Sequence, residues 1–258
     1  MTNYDILIKA NLTEISSFLD RYRDFSKRLE RQKIVHYKTK FDGFLSGYGS
    51  LKNIVKAIDR KEARGFNIFN ILNIRFSEIK AHTPFLKNLL NPNGSHGQGG
   101  LFLNSFIQEL IPQEKRKHFE LNNFSNYNII EEKPIHNGRI DIYIHSLDPK
   151  RKFNIIIENK LFAGDQQDQI KRYYKFLHGG KELKNDEIMI FYLTITGVDP
   201  SAFSIEEELR EKLKNNKVLK NISYNGDIKN WLTNLIQDVQ SNKVKDLIIQ
   251  YLNILKTL

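Results

Sequence analysis

The chain has 258 residues, of which 40% are hydrophobic, and 40 Lys and Arg against 30 Asp and Glu give it a net charge of +10. It contains no cysteine, which excludes disulfides and thiolate zinc sites and is compatible with a reducing cytoplasm. No apolar run of about 18 residues exists, so no membrane span is expected. The N-terminus lacks the basic and apolar regions of a signal peptide. We therefore expect a globular, cytoplasmic protein.

The basic excess has two readings. It suits a polyanionic partner, and nucleic acid is the most obvious one. A lysine-rich, solvated surface has the same composition. Charge alone does not separate the two.

The first 65 residues predict a basic helical extension. Residues 13–33 place apolar side chains at helical spacing between charges, and Thr13 is suited to the N-cap. Gly43, Gly47 and Gly49 then interrupt the pattern, and a second helix is predicted over residues 51–63. The main domain is predicted to cover residues 66–258.

Helices are predicted before the strands begin. Residues 66–72 are strongly apolar and predicted to be helical. Thr83 as N-cap and Pro84 as first residue predict a helix that ends at Asn91 and Pro92. Residues 91–100 are rich in Gly, Asn and Pro and predict a loop. A further helix is predicted over residues 101–111, where Pro112 stops it.

The remainder alternates strands and helices. Strands are predicted over residues 127–132, 139–145, 153–160, 187–196 and 218–223. Helices are predicted over residues 165–178, 205–213, 227–239 and 244–255. This order predicts an α/β fold with a central mixed sheet of about four to five strands flanked by helices.

Charged residues stand among apolar ones in two neighbouring strands. Asp141 lies between Ile140 and Ile142, while Glu158 and Lys160 end an apolar run. Residues two apart in a strand share a face, so Glu158 and Lys160 project together. If Asp141 and Glu158 converge, they repel each other unless a cation lies between them, and oxygen ligands favour Mg²⁺ or Mn²⁺. The competing interpretation is a salt bridge at the strand end, with Asp141 capping a turn.

The order of these motifs resembles the PD-(D/E)XK nuclease superfamily, which has a restriction-endonuclease-like fold. The core reads GRIDIYI, then IIIENKLFAGDQQDQIKRY. The upstream block reads FNIFNILNIRFSEIKAHTPFLKNLLNPNGSHGQGG. Both are similar to a bacterial nuclease-like family within it, over residues 66–258. One departure is that Ile140, not proline, precedes Asp141.

The resemblance implies roles for the motif residues. Asp141 and Glu158 would be the principal metal ligands, the backbone carbonyl of Asn159 would complete the sphere, and Lys160 would be the catalytic lysine. Glu78 matches an upstream helix acid that completes the acidic cluster. Its alternative is a solvated carboxylate.

The helix after the third strand adds two candidates. Gln169 and Tyr173 lie four apart, hence on one helix face, and resemble a Q-x-x-x-Y pair that lines the site in exonuclease-like branches. Tyr173 is alternatively a core aromatic residue. Gln166 or Gln167 would replace Gln169 under a different helix phase.

Two histidines match the upstream block. His82 follows Glu78 by four residues and would help to hold it, and His96 lies in the loop over residues 91–100. Both are alternatively packing or hydrogen-bonding residues. The loop lacks the Gly-Lys-Ser/Thr ending of a phosphate-binding P-loop.

These features together predict a Mg²⁺- or Mn²⁺-dependent nuclease acting on DNA. The resemblance to the bacterial family further implies a role in defence against foreign DNA or in DNA repair. The alternative from a different class is a nucleic-acid-binding or regulatory protein without turnover. A third interpretation is an interaction module in which the N-terminal helices form a homodimer. No nucleotide-hydrolysing motif is present, so an energy-dependent partner would be a separate protein.

Overall fold

The computed structural model describes residues 3–63, 65–118, 127–148, 153–179 and 184–258, with side chains from residue 12 onward. By its internal contacts the chain divides into two compact units, Met1–Phe66 and Asn67–Leu258. The sequence places this division between residues 65 and 66. That the two parts act as separate domains stays a prediction.

The first unit is one long helix, α1, over Asn3–Glu62. The predicted interruption at Gly43, Gly47 and Gly49 is therefore wrong. A helical glycine costs about 1 kcal/mol relative to alanine but does not forbid the helix. None of the residues from 12 to 62 is buried.

The second unit opens with short helical segments. These are α2 (Ile68–Ile71), a π-helical turn (Glu78–His82), α3 (Thr83–Leu90), α4 (Leu101–Leu110) and a 3₁₀ segment (Gln113–His118). Helix α2 is shorter than predicted. Thr83 does not cap α3, because the preceding turn runs directly into it and the Thr83 hydroxyl instead accepts a hydrogen bond from Asn159 Nδ2.

Five strands form one mixed sheet in the order β1-β2-β3-β4-β5. They are β1 (Tyr127–Ile135), β2 (Gly138–Ser146), β3 (Asn154–Lys160), β4 (Ile188–Thr194) and β5 (Leu219–Ser223). The first three pair antiparallel, and β3, β4 and β5 pair parallel. All residues of β3 and β4 are buried. The predicted α/β fold with a mixed sheet is confirmed.

Helices complete both faces of the sheet. They are α5 (Gln169–His178), α6 (Glu207–Asn215), α7 (Lys229–Leu235) and α8 (Asn242–Leu255), with a 3₁₀ turn at Asn185–Glu187 and a π-helical turn at Tyr224–Ile228. Helix α5 begins four residues later than predicted. The reason is that Asp165 accepts hydrogen bonds from the Tyr192 hydroxyl and the Ser201 N–H instead of starting the helix.

The sheet separates two apolar clusters. The larger one packs α3, α4, α7 and α8 against side chains such as Ile155 and Ile157. The smaller one packs α5 and α6 against the opposite face, where Ile156 and Ile190 lie. Because side chains alternate along β3, Glu158 and Lys160 belong to the α5 side and Asn159 to the other. In the described part of the chain, no helix is both long and apolar enough to cross a membrane.

Candidate active site

The two acids meet where β2 and β3 separate. The antiparallel pairing of these strands ends at Ile142 and Ile157, and the next residues along them are Asp141 and Glu158. Ile140 and Ile142 pack in different apolar clusters, so the side-chain alternation of β2 slips at Asp141. Oδ2 of Asp141 accepts a hydrogen bond of 2.7 Å from the Asn159 N–H. Asp141 therefore reaches across to β3 beside Glu158.

Glu158 is the centre of a buried hydrogen-bond network. Its side chain is almost inaccessible, at 1% exposure. Oε1 accepts hydrogen bonds from Gln169 Nε2 at 2.6 Å and from Lys160 Nζ at 2.9 Å. Oε2 lies 2.6 Å from the Tyr173 hydroxyl. One strand and one helix thus fix both oxygens of this carboxylate.

Helix α5 carries the two residues that hold Glu158. Gln169 Nε2 also lies 3.1 Å from the Tyr173 hydroxyl, as expected for side chains four apart on one helix face. Oε1 of Gln169 accepts from the Gln166 N–H. The Gln166 side chain bonds Arg172, and Gln167 lines a cavity outside the site. The helix phase therefore selects Gln169 over its two neighbours.

Tyr173 combines a buried ring with a hydrogen-bonded hydroxyl. It is fully buried in the smaller apolar cluster. Its hydroxyl also lies 2.8 Å from the carbonyl oxygen of Arg139. The ring packs as a core aromatic residue while the hydroxyl contacts the carboxylate of Glu158.

The charges of this cluster are unbalanced. Burial, and next the charge of Glu158, raises the pKa of Asp141 to about 8 against the opposing effects of the Asn159 N–H and Lys160. Burial also raises the pKa of Glu158, although Lys160 lowers it. For Lys160, burial acts to lower the pKa, but the nearby carboxylates, Glu158 foremost, outweigh it and the pKa is raised. One buried acid, Glu158, and one half-buried acid, Asp141, share one buried ammonium.

The Asn159 side chain lies on the opposite face of the sheet. Its Nδ2 donates to Thr83 Oγ1 at 2.9 Å, and its Oδ1 accepts from the Tyr224 hydroxyl at 2.8 Å. These bonds occupy the amide. Only the main chain of Asn159 faces Asp141, through its N–H.

Glu78 is placed at the end of β3. Its Oε1 accepts hydrogen bonds from three successive N–H groups, those of Leu161 at 2.5 Å, Phe162 at 3.0 Å and Ala163 at 3.3 Å. It begins the π-helical turn, whose N-cap is the Ser77 hydroxyl. Glu78 therefore fixes the backbone that follows Lys160.

The histidines lie outside the carboxylate cluster. His82 is fully buried, and its ring nitrogens contact the Tyr251 hydroxyl and the Arg75 carbonyl, both at 2.8 Å. Burial lowers its pKa. His96 Nδ1 accepts from the Gln98 N–H, and its Nε2 donates to the Asn91 carbonyl, which closes the loop after α3. Both make structural hydrogen bonds.

Two charged residues near the site are not among the predicted site residues. Asp165, which bonds Tyr192 on β4, lies close enough that its charge raises the pKa of Glu158. Glu132 on β1 similarly raises the pKa of Asp141 and pairs with Arg139 at 3.2 Å. The sequence signal for Asp165 is weak, because an acid five residues after Lys160 at the start of an amphipathic segment equally predicts the first residue of a helix.

The donor set suits a hard divalent cation. Carboxylate and carbonyl oxygens are the ligands that Mg²⁺ and Mn²⁺ prefer. In the residues that the structure describes, no group of three or more His, Cys, Asp or Glu side chains could hold a metal ion by itself. Asp141 and Glu158 fit a site with two carboxylates, in which backbone oxygen and water would complete the coordination.

The mixed five-stranded sheet flanked by helices is consistent with the fold of PD-(D/E)XK nucleases. The chain belongs to the PD-(D/E)XK nuclease superfamily, whose family model matches residues 66–253. The resemblance read from the motifs is confirmed. Members of this superfamily are generally nucleases, which are hydrolases that act on nucleic acids. No curated protein and no solved structure matches the chain significantly.

Proposed function

We propose that the protein is a Mg²⁺- or Mn²⁺-dependent nuclease that hydrolyses phosphodiester bonds of DNA. The observation that carries this proposal is the buried network around Glu158. Lys160, Gln169 and Tyr173 all converge on its carboxylate, while Asp141 reaches the same point from β2. A degenerate site usually loses at least one member of such a set.

In this proposal Asp141, Glu158 and the carbonyl of Asn159 would hold the cation. The chemistry that a bound cation would supply there is activation of water and neutralisation of the charge that builds up on the phosphoryl group. Glu78 acts mainly by fixing the backbone after Lys160 and adds its negative charge to the site. Lys160, as the ion-paired ammonium, donates a hydrogen bond to a phosphate oxygen.

Gln169 and Tyr173 are proposed as positioning residues. Both act through Glu158, because both donors bond its carboxylate. A carboxylate fixed at both oxygens loses little conformational freedom when substrate binds. The helix thus orients the strand's acid.

The outward side of α5 supports a nucleic-acid substrate. It borders a cavity of about 570 Å³ together with the β1–β2 turn. The lining includes the basic side chains of His136, Lys171, Arg172 and Lys175. Phosphate backbones are bound by such basic clusters. We propose that this basic cavity contacts the DNA strand, while the inward side of the same helix orients Glu158.

One observation favours a second candidate, a nucleic-acid-binding or regulatory protein without turnover. Both oxygens of Glu158 already have protein partners in this structure. A site satisfied in this way is also stable as a structural network. Either candidate would act in defence against foreign DNA or in DNA repair.

The test is cleavage of plasmid and linear DNA by the full chain in Mg²⁺ or Mn²⁺. Wild-type protein should cleave, and Asp141→Asn and Glu158→Gln should each lose activity by at least about 1,000-fold. Asp238→Asn, which makes the same change at an exposed position, is the matched control and should retain activity. Cleavage that persists in both site variants contradicts the proposal. Salt-sensitive DNA binding without cleavage by wild-type protein supports the second candidate.

A further inference from the structure

Helix α1 carries an exposed apolar stripe with a seven-residue repeat. From residue 34 to residue 58, large apolar side chains follow one another at alternating intervals of three and four. They are Ile34, Tyr37, Phe41, Phe44, Tyr48, Leu51, Val55 and Ile58. The first seven are each at least 54% exposed. We call this set the heptad stripe.

An unpartnered stripe of this kind needs a covering surface. Helices in water owe most of their stability to packing of an apolar face, yet no residue from 12 to 62 is buried. Contiguous exposed apolar patches mark interaction sites. The stripe lies along at least six turns of helix, so its partner must be a long surface.

We propose that the heptad stripe pairs with the same stripe of a second copy of this chain, as an antiparallel two-stranded coiled coil. This inference is independent of the proposed nuclease activity. Apolar residues at alternating intervals of three and four recur every 3.5 residues on average. This is the repeat that keeps an apolar seam against the partner helix along a coiled coil. Covering eight large side chains from each copy removes on the order of 1,500 Å² from water, which is the size of a stable interface.

The order of residue sizes favours the antiparallel arrangement. With the two-fold axis beside residue 46, the layers pair Ile34 with Ile58, Tyr37 with Val55, Phe41 with Leu51, and Phe44 with Tyr48 of the other copy. Two layers thus set an aromatic ring against a smaller aliphatic side chain, and one aromatic pair lies at the centre. A parallel pair in register instead sets each of the four aromatic residues against its own copy, which crowds successive layers.

Charges beside the stripe agree with this direction. In the parallel pair, Lys33 of each copy lies beside Lys38 of the other, which is repulsive. In the antiparallel pair, Lys38 lies between Lys52 and Asp59 of the other copy, so the attraction of Asp59 opposes the repulsion of Lys52, while Lys33 lies beside Lys61. The parallel pair has no acid in the place of Asp59, because Lys38 there lies between Lys33 and Lys40 of the other copy.

The mass of the full chain in solution tests the pairing. Sedimentation equilibrium should give a dimer for wild-type protein, while Phe41→Glu with Phe44→Glu should raise the dimer Kd by at least about 100-fold. Ser46→Glu with Asn53→Glu adds the same charge on the opposite side of α1 and should leave the dimer intact. A monomeric wild-type protein at micromolar concentration, or a dimer that survives in the stripe variant, overturns the proposal.

Disulfide trapping tests the direction, and the absence of native cysteine keeps it clean. Oxidised Ile34→Cys protein alone should give no covalent dimer, because the two positions lie at opposite ends of the pair. A mixture of Ile34→Cys and Ile58→Cys proteins should give the heterologous cross-link. A covalent dimer of Ile34→Cys alone, with none added by mixing, overturns the antiparallel arrangement.

Discussion

The hydroxyl of Tyr173 on α5 lies 2.6 Å from Oε2 of Glu158 on β3. If this contact positions the carboxylate, Tyr173→Phe should lower the rate of DNA cleavage by about 10- to 100-fold, since a hydrogen bond to a charged group is lost. The loss should appear in kcat more than in KM. Tyr174→Phe removes a hydroxyl from the neighbouring residue and should retain the wild-type rate. Equal cleavage rates for Tyr173→Phe and Tyr174→Phe would show that the Tyr173 hydroxyl does not position Glu158 for catalysis.

Glu78 is predicted to act chiefly through the backbone after β3. Glu78→Ala leaves three N–H groups without their carboxylate and should lower the free energy of unfolding by about 1–2 kcal/mol, measured by urea denaturation. Glu208→Ala, at an exposed position, is the control and should leave the free energy of unfolding unchanged.

Glu78→Gln should weaken Mn²⁺ binding less than Asp141→Asn does, measured by calorimetry. A loss as large as that of Asp141→Asn would instead make Glu78 a principal metal ligand.

The basic cavity beside α5 predicts a change in salt dependence. Arg172→Gln and Lys175→Gln should each weaken DNA binding similarly for all sequences and reduce the slope of log K against log salt by about 1. Lys212→Gln on α6 loses the same charge at an exposed site and should leave the slope unchanged. If the slope of log K against log salt is the same in all three variants, the DNA does not bind in the basic cavity beside α5.

Lys115 gives a pH dependence of stability away from the candidate site. It is buried, its Nζ donates to the carbonyls of Asn185 and Ile188, and burial lowers its pKa to about 8 despite the nearby charges of Asp186 and Glu114. Between pH 8 and about 10.5 the unfolded chain binds more protons than the folded one, so this residue's contribution to stability rises with pH.

The comparison with Lys115→Met isolates that contribution. The free energy of unfolding of wild-type protein should gain about 1–3 kcal/mol relative to the variant between pH 7.5 and pH 10. Urea denaturation at both pH values measures it. A difference between the two proteins that stays constant with pH would show that the Lys115 pKa is unshifted.

The strands could be predicted because their apolar runs are long and continuous. Residues of β3 and β4 are buried on both faces, and their bounds lie within two residues of the prediction. The sequence predicts helix α1 in two pieces, because local rules treat glycine as a break whereas it only weakens a helix. Gln169 and Tyr173 are predicted as site residues from their resemblance to a family motif, because a spacing of four residues on a helix does not by itself indicate a site.

Other features depend on contacts that sequence does not display. Asp141 contacts β3 only because the side-chain alternation of β2 slips at this residue. Glu132, which lies opposite Asp141 on β1, adopts a positive φ of 52°. Glu78 meets the residues after Lys160 only because the sheet and the helical segments pack together. Asp165 leaves its predicted helix because it bonds Tyr192 and Ser201. Each of these is a tertiary contact that overrides a local preference.

The central claim is that Asp141 and Glu158 share a divalent cation that DNA cleavage requires. The most direct measurement is anomalous difference density from crystals of the full chain soaked in Mn²⁺, with Asp141→Asn crystals as the control. The account predicts a peak between the Asp141 and Glu158 carboxylates in wild-type protein and none in the variant. Cleavage-competent protein with no Mn²⁺ peak at these two carboxylates would contradict it.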